Sequence, residues 1–161
     1  MADLENFAAD ISAIREGAWE SPGPEWGDME LKVRGFGPHY TEPQAKAQKE
    51  AVRAARFSGA IKNNQDWEDL PVSERNDVND KMMLKHIFID VKNLKLNGQE
   101  VTKEEFRELA RVPKYRDRLI GALYECAVAV TTRREATKEH AVGNSPQSSD
   151  TTLNGHSTQT S

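Results

Sequence analysis

Cysteine is the scarcest chemistry-bearing residue in this chain. Its 161 residues hold one, Cys126, which excludes an internal disulfide framework and a cysteine-built zinc site. No apolar run reaches the length of a membrane-spanning helix, so no transmembrane segment is expected. The opening Met1-Ala-Asp-Leu-Glu-Asn is acidic and lacks the basic stretch of a secretory signal. Nor is there an excess of positive charge: the net charge is −4, which does not favour bulk attraction to nucleic acid or to a membrane surface. These absences lead to the expectation of a cytoplasmic protein, with one α-rich domain over residues 1–140 and a tail over 141–161.

Catalytic constellations are also missing. The four histidines, His39, His86, His140 and His156, show no metal-ligand spacing with one another. Cys126 lies among Ala and Val on an apolar segment and reads as a small core residue, not an activated thiolate. Acid pairs such as Glu104-Glu105 and Asp66/Asp69 fall where helix capping accounts for them. Gly35-Phe36-Gly37 lacks the third glycine of a dinucleotide fingerprint. The expectation is no enzyme, no cofactor and no metal.

What the chain does have is a strongly patterned stretch near its start. Met29 to Phe36 alternates strictly, with Met29, Leu31, Val33 and Gly35 on one side and Glu30, Lys32, Arg34 and Phe36 on the other, as in a half-buried strand. Ile14 to Glu20 is the expected partner strand, and Ser21 to Asp28, with its prolines and glycines, must turn between them. The result is a β-hairpin over about residues 14–36, with Trp19 expected to pin it to a helical body.

The remainder reads as four to five helices. Residues 2–13 form a short one capped by Asp3. A second runs from Thr41, with Pro43 in its first turn, through alanine-rich positions to Phe57, and Ser58-Gly59 stops it. Trp67 and Leu70 tether a polar loop. The next helix opens at Ser73 and continues through Ile87-Phe88-Ile89-Asp90-Val91. That β-branched run is also strand-like, but the helical pattern before it is unbroken. Asn97-Gly98 makes a tight turn. Thr102 to Glu105 is a capping box, and Pro113 opens a last helix to about residue 136 that buries Tyr115, Leu119, Leu123, Tyr124 and Ala127. From Gly143 onward, Ser, Thr, Asn and Gln dominate, a composition expected to be disordered. The fold class is therefore mainly α with a small N-terminal antiparallel β-hairpin and a disordered C-terminal tail.

Charge is unevenly spread. Residues 1–31 carry eight acids against one base, and residues 32–62 seven bases against two acids. Residues 63–80 carry six acids against one base, and residues 81–118 ten bases against six acids. Such blocks either pair within the fold or form poles that dock a partner. Candidate partner-binding residues are Trp26, Lys32, Arg34, Phe36, Tyr40, Arg107 and Arg111, as exposed aromatics and bases commonly anchor interfaces. Arg107, Arg111, Lys114, Arg116 and Arg118 around Pro113 also admit a small DNA-binding regulator.

Glu16-Gly17-Ala18-Trp19, then Leu31-Lys32-Val33-Arg34 and Gly35-Phe36-Gly37-Pro38-His39-Tyr40, resemble small tail assembly chaperones of long-tailed (siphovirus-type) bacteriophages. The Asn97-Gly98 turn, the capped helix at Thr102 and Val112-Pro113-Lys114-Tyr115-Arg116 extend the resemblance over roughly residues 14–130. Two positions depart from the family's pattern: Gly37 stands where an Asn is usual before the proline, and Val112 stands where an Asp is usual. The resemblance implies a non-enzymatic protein of the infected cell's cytoplasm that binds the tape-measure protein, helps recruit tail-tube subunits, and leaves the finished particle. It implies no nucleic-acid or membrane partner, leaves homo-oligomerisation open, and carries an expected longer form made by ribosomal frameshifting. A head–tail adaptor retained in the virion is the alternative.

Overall fold

A computed structural model describes residues 1–133; the expected disordered tail, His140 and His156 lie outside the described residues, and the last helix, expected to reach about residue 136, ends at Thr131. The described chain divides into two compact units, Met1–Asp10 with Thr132 and Arg133, and Ile11–Thr131. In the first, Asp3 caps a 3-10 turn over Leu4–Phe7 by accepting from the Glu5 amide. Asp10 N–H donates to the Arg133 carbonyl at 3.0 Å.

The second unit carries the fold. Its order is α1 (Ile11–Glu16), β1 (Ala18–Glu20), β2 (Glu30–Val33), α2 (Pro38–Ser58), α3 (Val72–His86), β3 (Phe88–Lys92), β4 (Lys95–Leu96), β5 (Gln99–Glu100), α4 (Lys103–Leu109) and α5 (Pro113–Thr131). Mainly helical, with five helices among the described residues and a small antiparallel sheet near the start, it has the expected fold class. No helix among them is long and apolar enough to cross a membrane.

The hairpin gains a third strand. β2 lies between β1 and β3, antiparallel to both, with Ala18 opposite Val33 and Leu31 opposite Val91. The expected helix through Val91 is therefore corrected: α3 ends at His86, and the β-branched run becomes β3. Phe88 and Val91, three apart, suit a helical stripe as well as this bulged strand. What decides between them is the outer edge of β2, whose unpaired backbone groups need partners. Arg34 N–H beside that edge donates to the Ile87 carbonyl at 2.9 Å. The ladder slips between Lys32 and Val33, which face Asp90 and Phe88, so Ile89 is the extra residue of a bulge.

The alternation of β2 holds as expected: Leu31 and Val33 are fully buried, and Glu30 and Lys32 are half-buried on the other face. Trp19 is a correction. It pairs with Lys32 on the outer face, half-buried, with the Lys92 ammonium 4.5 Å above its ring. Ala18 takes the inward position and packs against the core. The expected partner strand from Ile14 is likewise shorter, because Ile11–Glu16 is helical and Gly17, at φ +96°, breaks between α1 and β1.

α5 supplies most of the floor, with Leu119, Leu123, Cys126, Ala127 and Val130 buried against α1 and the sheet. Tyr124, expected inside, is 52% exposed. Phe106 of α4 is fully buried and stacks on Phe88 with ring centroids 4.4 Å apart. The Thr102–Glu105 capping box forms in both directions, and Asn97 and Gly98, both at positive φ, turn β4 into β5. α2 begins one turn earlier than expected, at Pro38 behind Gly37, which leaves Pro43 inside the helix. Gly59 closes it at φ 82°.

Candidate functional site

α2 and α3 pack side by side in opposite directions. Near the sheet, Gln44 and Gln48 both donate to Asn79 Oδ1 at 3.1 Å, and Gln44 also reaches the Tyr40 hydroxyl. Arg116 of α5 meets Asp80 at 2.8 Å, tying the helix pair to the floor. Tyr40 is 6% exposed, and burial, with the Asp80 charge adding, pushes its phenol up to about 12. Burial and the nearby Glu20 charge likewise push the Cys126 thiol up to about 12, so it is a neutral core thiol at physiological pH.

A small second cluster of Val52, Ala55, Ile61 and Leu70, with Trp67 against it, holds the other end of the α2–α3 pair together. Beside it an open trough of about 640 Å³ runs between the helices, floored by Ala51, Ala54, Ala60, Leu70 and Val78. Small side chains on α2 let a ligand's backbone approach closely. One wall carries Glu74 and Asp77. A hydrogen bond from Lys81 holds the Asp77 carboxyl below its usual range. A second concavity, about 250 Å³, lies between the β4–β5 turn and α4, with Leu96, Val101, Leu109 and Val112 as its apolar surface.

The residues singled out in the sequence are dispersed. Trp26 is half-buried under the Arg118 guanidinium, 5.3 Å from the ring centre. Lys32 lies on the outer sheet face beside Trp19. Phe36 packs edge-on against Tyr40 at 5.3 Å and near Tyr124 at 5.8 Å, making one aromatic group of which Tyr124 is the exposed member. Arg34 is half-buried, and His86 is held below its usual value first by burial and then by the charges of Lys85, Arg34 and His39. Arg107 lies over the Phe88 ring at 5.0 Å, while Arg111 is exposed. Lys114 lies over the Tyr115 ring, Arg116 pairs with Asp80, and Arg118 lies over Trp26.

Sequence reasoning missed both concavities. The trough was visible only as an alanine-rich, narrow face on α2, and the small pocket only as apolar residues flanking the Asn97-Gly98 turn. Among the described residues no group of three or more His, Cys, Asp or Glu is placed to hold a metal ion. Comparison with family models, characterised proteins and solved structures returns no match.

Proposed function

We propose that this chain is a tail assembly chaperone of long-tailed bacteriophages, acting in the host cytoplasm by holding the tape-measure protein and helping to recruit tail-tube subunits. The observation that carries the reading is the open trough between α2 and α3, about 640 Å³ and floored by alanines, leucine and valine. A long helical client presents apolar stripes, and a groove of this kind accepts such a stripe in the helix-in-groove mode. The motif order from Gly17-Ala18-Trp19 to Pro113 supports the same assignment. Holding needs no reaction, so the dispersed titratable groups are in keeping with it.

Co-expression with the tape-measure protein is the direct test. The expected result is a soluble client that co-purifies with this chain, and less of both with Ala54→Arg, which fills the trough from an exposed position. An equally soluble client without this chain would overturn the proposal. Mass spectrometry of purified particles separates it from the adaptor alternative, which requires the chain at stoichiometric copy number in the virion.

A further inference from the structure

Two surface features at opposite ends of α3 match each other in chemistry. At one end, Phe57 in the last turn of α2 is 95% exposed. Arg53, one helical turn earlier on the same face, gives this apolar knob a basic neighbour, and Arg56 adds a second positive charge in the same last turn. Arg56 donates twice to the Gln65 carbonyl, which orders that guanidinium while keeping its charge. Isolated exposed phenylalanines are unremarkable, but one in the last turn of a helix and almost wholly in water has no folding role.

At the other end is the pocket of about 250 Å³ between the β4–β5 turn and α4. Its apolar surface is Leu96, Val101, Leu109 and Val112, and its rim carries Glu100, Glu105 and Glu108. Glu105 is engaged in the capping box, leaving Glu100 and Glu108 facing solvent. The pocket thus suits an apolar side chain accompanied by positive charge.

The two cannot meet within one molecule. Phe57 lies beside the start of α3, where Leu70 joins Val52, Ala55 and Ile61. The pocket lies beside its end, where Arg107 Nε comes within 3.5 Å of the Leu84 carbonyl and Phe106 stacks on Phe88. α3 has 15 residues; at the helical rise it separates the two by roughly 22 Å.

We propose that Phe57 of one copy seats in the α4 pocket of a second copy, with Arg53 and Arg56 meeting Glu108 and Glu100. Each copy then offers one knob and one pocket, so the contact is head-to-tail and adds subunits until it closes on itself or stays open. The ring supplies the affinity, and the charges set approach and orientation, which makes the association weaker at high salt. One side chain and its rim bury much less than the ~1,000 Å² of a durable interface, so the self-association is weak.

Sedimentation velocity on the full chain, from about 10 μM to about 1 mM at low salt, is the test, as weak contacts become populated there. The mass is expected to rise with concentration and to fall back with added salt. Phe57→Asp and Val112→Arg, both at exposed positions, each abolish the rise on their own. An equal mixture of the two gives a one-to-one dimer and nothing larger, because the first keeps its pocket and the second its knob. That complementation is not mimicked by misfolding. A wild-type chain that stays monomeric at the highest concentration overturns the proposal and leaves the pocket to a different protein. So does self-association that survives both substitutions, or a mixture of two folded variants that remains monomeric.

Discussion

Gly17, between α1 and β1, adopts φ +96°, and a Cβ built there would lie 2.5 Å from Ile89 Cδ1 and 3.2 Å from the Val33 carbonyl oxygen. Gly17→Ala is therefore expected to cost stability by two separable routes. The left-handed backbone alone costs an L-residue about 1–2 kcal/mol. The Ile89 side chain, half-buried in the β3 bulge, must leave its rotamer to make room, at about 0.5–1.5 kcal/mol. Together these predict a loss of about 2–3 kcal/mol. Ile89→Val removes the Cδ1 methyl itself and costs about 0.5–1.5 kcal/mol alone. In that background only the backbone term and the Val33 oxygen remain, so Gly17→Ala should cost about 1 kcal/mol less than in the wild type. Urea denaturation of the four proteins, followed by far-ultraviolet circular dichroism, gives the cycle. A cost equal in both backgrounds, within about 0.3 kcal/mol, would mean that Ile89 does not close over Gly17 and that the bulge is misplaced.

Trp19→Ala is expected to cost about 1 kcal/mol, chiefly the Lys92 contact and part of the ring's burial, whereas Phe106→Ala costs about 3–5 kcal/mol; comparing their melting temperatures checks the order. Cys126 should stay unreactive toward an aromatic disulfide reagent at mildly alkaline pH until denaturant is added; prompt reaction in the native protein would contradict its burial and its thiol raised to about 12. Tyr40 is raised in the fold from 10.0 to about 12. Its contribution is complete below the unfolded value and drains away as pH climbs through the folded one. Tyr40→Phe should thus flatten the alkaline loss of stability between those values, whatever its effect at neutral pH.

Signals carried by a few adjacent residues were legible in the sequence. Thr102 with Glu105, Pro113, Gly59 and Asn97-Gly98 each specify their own backbone geometry, and each sits where it was expected. The alternation of Met29–Phe36, which holds β2, was equally plain, because eight residues fix a face. β1 is three residues long, too short for alternation to show whether Ala18 or Trp19 turns inward; the register with Val33 decides it. The fate of Phe88–Lys92 depends on the free edge of β2, more than fifty residues earlier in the chain. A local pattern cannot report that edge. The trough and the small pocket are spaces between elements, and their lining is scattered from Ala51 to Arg116 and from Leu96 to Val112. Among the proposed partner-binding residues, Phe36 and Tyr40 do come together, since they lie four apart across the start of α2.

The late arrival of α5 bears on how the protein is made. Cys126 reaches back 106 positions to the Glu20 carbonyl, and Thr131 reaches back 95 to the Phe36 amide. A nascent chain leaving the ribosome N-terminus first therefore holds its two earliest strands, apolar side bare, for seconds before their floor emerges, at synthesis rates of about 5–20 residues per second. During that interval the sticky half of the sheet is open to whatever else is being translated nearby.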